Sequence, residues 1–350
     1  MVAPAGTSTA WPPSPPAVAS GTTTPLVDGF GRVHRDLRIS VTDRCNFRCT
    51  YCMPEDGLSW QPPESQLTAE ELGRVARRFV ESFGFTSIRL TGGEPTVRAD
   101  LVDVVTRLAS LPVDLALTTN GSRLTRLAPA LADAGLRRVN VSLDSLRPDR
   151  FQTATRRDAL PAVLDGIRAA VAAGLAPVKV NVVVTRGFND DEVVDFARFG
   201  REEGVTVRFI EFMPLDADRR WARRSVVPAH EIVERIDTVF PLVTSARSSS
   251  PARVLRFADG IGEVGVIGSV TEPFCSSCDR VRLTSDGQLR SCLFATAETD
   301  LRAILRDPRT DLEAALDTAI RKTIAGKWAG HGISEVSFTR PTRSMSQIGG

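Results

Sequence analysis

The sequence predicts an α/β protein: an incomplete, open βα barrel of six units, capped by a C-terminal α+β extension. Three observations predict it. Six short β-rich runs recur after about residue 37: "LRISVT" (37–42), "TSIRLTG" (86–92), "VDLALTT" (113–119), "RVNVSLD" (138–144), "VKVNVVV" (178–184) and "VTVRFIEF" (205–212). Helical patterns stand between most of them, and several end in glycine, a common residue just past a helix C-terminus. Polar, glycine- or cysteine-bearing segments follow the strand ends: "DRCNFRCTYC", "TGGEP", "TTNG", "SLDS" and "FIEFMP". That rim is where βα barrels build sites. Alternating strands and helices imply parallel pairing with right-handed crossovers. Six units are too few for the eightfold barrel, so an open one is expected, with a flat doubly wound sheet as the alternative.

Along the chain, residues 1–25, rich in Ala, Pro, Ser and Thr, read as a disordered extension. They lack the basic and apolar regions of a secretory signal. Residues 26–212 carry the βα alternation, with helical segments "AEELGRVARRFVESFG", "ADLVDVVTRLASL", "RLAPALADAG", "ALPAVLDGIRAAVAAG" and "DDEVVDFARFGREEG". From 213 to 350 the alternation stops. "DADRRWARRS" reads as an exposed connection, "PAHEIVERIDTVF" as one helix and "SSSPARVLRFADGIGEVGVIGSV" as a glycine-punctuated β segment. Three cysteines, two helices and a Ser/Arg/Gly tail follow. This region is expected to cap the barrel rather than fold alone.

Composition narrows the function. Over 350 residues, 42% are hydrophobic, 25% are charged and the net charge is +2. These values fit a soluble globular protein and argue against bulk electrostatic binding of nucleic acid. No apolar run approaches the ~18 residues that span a bilayer. Only three lysines stand against 41 arginines, which makes Lys179, inside an apolar strand pattern, conspicuous.

The six cysteines form two sets: Cys45, Cys49 and Cys52, then Cys275, Cys278 and Cys292. Without a signal peptide they read as reduced, cytoplasmic, metal-binding thiols. "CNFRCTYC" is one ligand short of closing a zinc site or capping a four-iron cluster. With only three histidines in the chain, zinc is poorly supplied. If the first set holds a 4Fe–4S cluster, one iron stays open. The second set, "CSSCDRVRLTSDGQLRSC", allows either structural zinc or another open cluster. Arg280 and Arg282 follow Cys278 at extended-chain spacing, and two guanidiniums beside a metal site suit a polyanion. Arg38, Arg89, Lys179 and Arg208 lie within strand runs, where they face either a site or solvent.

"CNFRCTYC", placed after the first strand with "TGGEP" after the second, resembles the radical S-adenosylmethionine (SAM) superfamily. Its members bind SAM on the open iron and cleave it to a 5'-deoxyadenosyl radical. With "RDLRISVTDRCNFRCTYCMP", "GLRRVNVSLDS", "RFIEFM", "FCSSCDRVRLTSDGQLRSCLF" and a terminal "GG", the chain from about Val27 onward resembles the GTP-cyclising family that begins molybdenum-cofactor biosynthesis. Peptide-modifying radical SAM enzymes with auxiliary clusters are the runner-up. A redox carrier or zinc scaffold would also use six cysteines, but needs neither rim motifs nor strand cations.

The resemblance implies two 4Fe–4S clusters, each on three cysteines, with SAM at the first and guanine at the second. It implies SAM contacts from Tyr51, Gly93, Ser142 and Met213. It implies GTP contacts from Arg38, Arg89, Thr118, Lys179, Arg280, the Val281 backbone and Arg282. Arg208 would lie near the transferred hydrogen, and Gly349 and Gly350 would thread into the site and position Arg38 or its neighbours. The implied reaction takes the ribose 3' hydrogen of GTP and joins that carbon to carbon eight of guanine. The implied partners are a low-potential electron donor such as flavodoxin or ferredoxin and a downstream pyranopterin-forming enzyme. The chain itself is expected to be a monomer or homodimer, cytoplasmic, with no nucleic-acid or membrane partner.

Overall fold

In the computed structural model, the described residues are 23–216, 219, 221–244, 251–309, 311–336 and 338–349. Most of the predicted N-terminal extension therefore lies outside them. Thr24 is already placed, its N–H donating to the Ser82 carbonyl at 3.0 Å.

The first six strands fall within a residue or two of the apolar runs: β1 Asp36–Ser40, β2 Ser87–Thr91, β3 Asp114–Thr119, β4 Arg138–Ser142, β5 Val178–Val184 and β6 Thr206–Glu211. The intervening helices are α1 Ala69–Phe83, α2 Leu101–Ala109, α3 Leu124–Asp133, α4 Pro148–Thr155, α5 Leu160–Ala172 and α6 Val193–Glu203. α1 shows why these segments are helical. Thr68 and Glu71 form a reciprocal capping box, and Leu72, Val75, Ala76, Phe79 and Val80 make one buried stripe. Gly84, left-handed at φ 71°, ends it. α4, whose apolar face is only Phe151 and Ala154, was not anticipated.

The C-terminal region contributes α7 Ala229–Asp237, β7 Leu242–Thr244, β8 Arg253–Phe257, β9 Glu263–Ile267, β10 Arg280–Leu283, β11 Gln288–Arg290 and β12 Thr299–Asp300. It ends with α8 Leu301–Arg306, α9 Leu312–Ala325 and α10 Met345–Ile348. One sheet runs β12-β11-β10-β1-β2-β3-β4-β5-β6-β9-β8-β7. Here the structure departs from a simple cap. β10 adds to β1 and β9 adds to β6, both in parallel, so the C-terminal region widens the βα sheet at both edges. The resulting edges, β12 and β7, remain apart, and the barrel stays open. The expected exposed connection is also anchored: Asp216 is buried and accepts from the Trp221 N–H and the Arg340 guanidinium.

Outward side chains of the parallel strands, such as Leu37, Ile88, Leu115, Val139, Val180 and Val207, are buried in the core shared with the helices. Most of their inward neighbours are polar, among them Arg38, Arg89, Asn140, Asn181 and Arg208. That two-residue alternation gives the concave face its chemistry.

Candidate active site

Both cysteine sets open onto one cavity of about 270 Å³. Its wall takes side chains from all eight parallel strands, among them Arg282, Arg38, Arg89, Thr118, Ser142, Asn181, Arg208 and Ile267. Of the residues expected at a site, it also brings together Tyr51, Gly93, Met213 and Arg280. Two stand apart. Lys179 is two residues below Asn181 on the same strand face and is not part of the wall. Val281 is fully buried on the other side of the sheet, so only its backbone is on offer. Gly350 lies outside the described residues.

Parallel register sets the charges side by side. Arg282 pairs with Arg38, and Arg38 with Arg89, across β10, β1 and β2. Three arginines thus start abreast from backbone positions at roughly the 4.8 Å strand spacing, an arrangement that is unfavourable without a counter-charge. Asp36 answers in part, 3.7 Å from Arg38. The Nε atoms of Arg38 and Arg89 are buried with no hydrogen-bond partner among the described residues. Burial, then the neighbouring guanidiniums, lowers Arg38 to about 9 and holds Arg282 well below its ordinary value. Burial likewise lowers Arg89 to about 10, Arg208 to about 9 and, aided by Arg208, Lys179 to about 8. Arg208 donates to carboxamides rather than carboxylates: Asn181 at 3.0 Å and Asn140 at 2.7 Å. A cavity so furnished calls for an anion.

At the other end, the cysteine loop follows β1 and is locked to the glycine turn after β2. The Gly93 N–H donates to the Thr42 carbonyl and that of Glu94 to Arg44, both at 2.8 Å. A Cβ at Gly93 would sit 2.4 Å from the Arg44 carbonyl. The glycine is therefore demanded by loop-on-loop packing, while its exposed edge faces the cavity. Burial pushes the Cys45 thiol to about 11 and that of Cys52 to about 12, and raises Cys49 strongly. Cys278 differs. Burial would raise it, but Arg280 and Lys327 hold it near 7.

Several residues went unread in the sequence. Buried Glu94 accepts from Thr96, Thr119 and Asn120, tying two rim turns together. Asp144, raised by burial to about 6, accepts from Tyr51 and from the Val183 N–H. Asn140 and Asn181 were legible as polar residues at inward positions of apolar strands. The C-terminal tail enters the same space. Met345 lines the cavity, and the Gly349 carbonyl accepts from Arg282.

Two three-thiol sets, at opposite faces of a cavity too large for one ion, fit two iron–sulfur clusters with an anionic ligand between them. The unpartnered guanidinium atoms and the Gly93 cradle are the features that such groups would engage.

Comparison with known proteins adds the family. The chain matches the Radical SAM superfamily over residues 39–200 and Molybdenum Cofactor Synthesis C over residues 205–333. It is 51% identical over 330 residues to the GTP 3',8-cyclase of Streptomyces coelicolor, covering 93% of this chain and 96% of that one. It is 48% identical over 343 residues to the GTP 3',8-cyclase of Mycolicibacterium smegmatis, covering 96% and 94%. Among solved structures, SAM-bound SuiB of Streptococcus suis aligns with a TM-score of 0.59 at 13% identity, covering 84% of this chain and 69% of that one. At that identity the likeness is one of fold alone.

Proposed function

The chain belongs to the GTP 3',8-cyclase family of radical SAM enzymes, and on that premise we propose how its own residues divide the work. It is a lyase of molybdenum-cofactor biosynthesis, converting GTP to (8S)-3',8-cyclo-7,8-dihydroguanosine 5'-triphosphate. A radical SAM enzyme carries a 4Fe–4S cluster and SAM. When bound and reduced, these supply a 5'-deoxyadenosyl radical.

The observation that carries the assignment of residues is the row Arg282–Arg38–Arg89 facing a cavity bounded by two thiol sets. Cys45, Cys49 and Cys52 hold the SAM-binding cluster. Tyr51, Gly93, Ser142 and Met213 line the SAM end, with Asp144 fixing the Tyr51 ring. Cys275, Cys278 and Cys292 hold a second 4Fe–4S cluster, beside which the guanine base rests. Arg38, Arg89, Arg280 and Arg282 neutralise the triphosphate, a role that the unpartnered buried Nε–H groups of Arg38 and Arg89 support. Thr118 and the Val281 backbone border the nucleotide. Lys179 and Arg208 add charge on the β5–β6 side, and the two carboxamides aim Arg208 at the ribose. Gly349 holds Arg282 in line, and burial keeps water from the reacting carbon.

A low-potential donor of the flavodoxin or ferredoxin kind supplies the electron, and a pyranopterin-forming enzyme consumes the product. The protein works in the reducing cytoplasm as a monomer or homodimer. None of the described helices is long and apolar enough to cross a membrane.

The test is anaerobic reconstitution with about eight irons per chain, followed by turnover with GTP deuterated at the 3' carbon. Deuterium in 5'-deoxyadenosine with stoichiometric cyclised GTP is the expected result. Label-free deoxyadenosine, or four irons, would overturn the assignment.

A further inference from the structure

Lys327 follows the last turn of α9 and is one of only three lysines in the chain. It is 4% exposed. Its ammonium donates to the Arg280 carbonyl at 2.7 Å and reaches the Cys278 sulfur at 3.8 Å. Cys278, Arg280 and Arg282 line the cavity, whereas Lys327 does not. It therefore touches the sulfur from behind, out of reach of substrate. Among the described residues its hydrogen bonds go to a carbonyl and a thiol and to no carboxylate, although Asp279, next to Cys278, feels its charge.

A second cation braces the same loop. Arg32, in the segment before β1, donates to the carbonyls of Cys275, Trp328 and Ala329 at 2.7, 2.6 and 3.0 Å. Asp28 holds that guanidinium at 2.6 Å. The N-terminal segment thereby fixes the turn carrying Lys327 against the loop carrying Cys275 and Cys278. The backbone that carries Lys327 cannot leave the cysteine loop without breaking this brace.

We propose that Lys327 is a positioning residue of the second thiol set: a fixed positive charge on the Cys278 sulfur that raises the reduction potential of the cluster there. The proposal rests on the reading of that set as a cluster site. Cluster potentials respond to net charge and to hydrogen bonds on the ligating sulfurs, and a buried charge is weakly screened. The same charge offsets the thiolates next to which an anionic nucleotide must bind.

The experiment compares wild type, Lys327→Gln, Lys327→Met and Lys327→Arg after anaerobic reconstitution, with iron counts and potential-controlled electron paramagnetic resonance. Lys327→Gln still serves the Arg280 carbonyl but loses the charge. Its second cluster should be about tenfold harder to reduce, a fall of about 59 mV for one electron. The first cluster and SAM cleavage without GTP should be unchanged. Lys327→Arg should restore the wild-type potential. Loss of second-site iron in the Gln and Met variants, rescued by Arg, counts in favour. An unmoved potential in Lys327→Gln, or iron loss in all three variants, overturns the role of charge. Four irons in the wild type itself would instead remove the second-cluster reading, and this proposal with it.

Discussion

Gly349→Ala isolates the tail from everything else in the site. Gly349 has φ 81° and ψ 112°, a region that alanine reaches only with strain of about 1–3 kcal/mol. A Cβ there would also lie 2.7 Å from the Thr91 Cγ2 and 3.1 Å from the Ser40 Cβ. Both neighbours are buried on β1 and β2, so the tail must yield. Leaving also forfeits the carbonyl bond to Arg282, a hydrogen bond to a charged group typically worth about 1.5–3 kcal/mol. That bond helps hold the tail in, so it is lost as a consequence and not counted again. A penalty near 3 kcal/mol shifts the docked-to-undocked ratio by roughly 10²-fold. Product formation should fall by close to that factor if docked and undocked tails are near equal in energy in the wild type, and by about twofold if docking is worth the whole penalty. SAM and GTP dissociation constants should move less than threefold, because the thiol sets and the other arginines are untouched. Quenched-flow product analysis beside calorimetric GTP binding reads both quantities. Turnover at the wild-type rate would refute any part for the tail in alignment.

Cys45→Ala, Cys49→Ala or Cys52→Ala should abolish reductive SAM cleavage while second-site iron persists; intact deoxyadenosine formation in any of them contradicts the first-set assignment. Cys275→Ala, Cys278→Ala or Cys292→Ala should remove cyclised product yet leave some uncoupled SAM cleavage, and normal product would make that set structural. Arg280→Ala should weaken GTP binding by ~1.5–3 kcal/mol, with a smaller loss for guanosine; equal losses would mean that it does not hold phosphate. Lys179, lowered to about 8, is cationic below that pH and neutral above it. Since a triphosphate prefers the ammonium, GTP affinity should drop as pH rises from 8 towards 9, by up to tenfold per pH unit. Lys179→Met should flatten that slope in titration calorimetry, and an unchanged slope would exclude Lys179 as its source.

Much of the barrel was legible because parallel strands buried on one face carry apolar residues every second position, and helices carry a 3.6-residue stripe. "VKVNVVV" reproduces β5 residue for residue. The first thiol set was equally plain, since its ligands are neighbours in the chain. What the sequence by itself determined is thus local: which segments are strands, which turns carry polar groups, and which thiols belong together. Only the tertiary structure decided the rest. β9 and β10 carry no helix to announce them, so their parallel places at the two edges depend on partners over fifty and over two hundred residues away. The row Arg282–Arg38–Arg89 exists only through strand register, which no single strand encodes. The bracing of Cys275 by Arg32 spans 243 positions, and the Arg282–Gly349 bond spans 67. Periodicity reports the environment along one element. A charge's counterpart across the fold is set by packing, and packing is a property of all the elements at once.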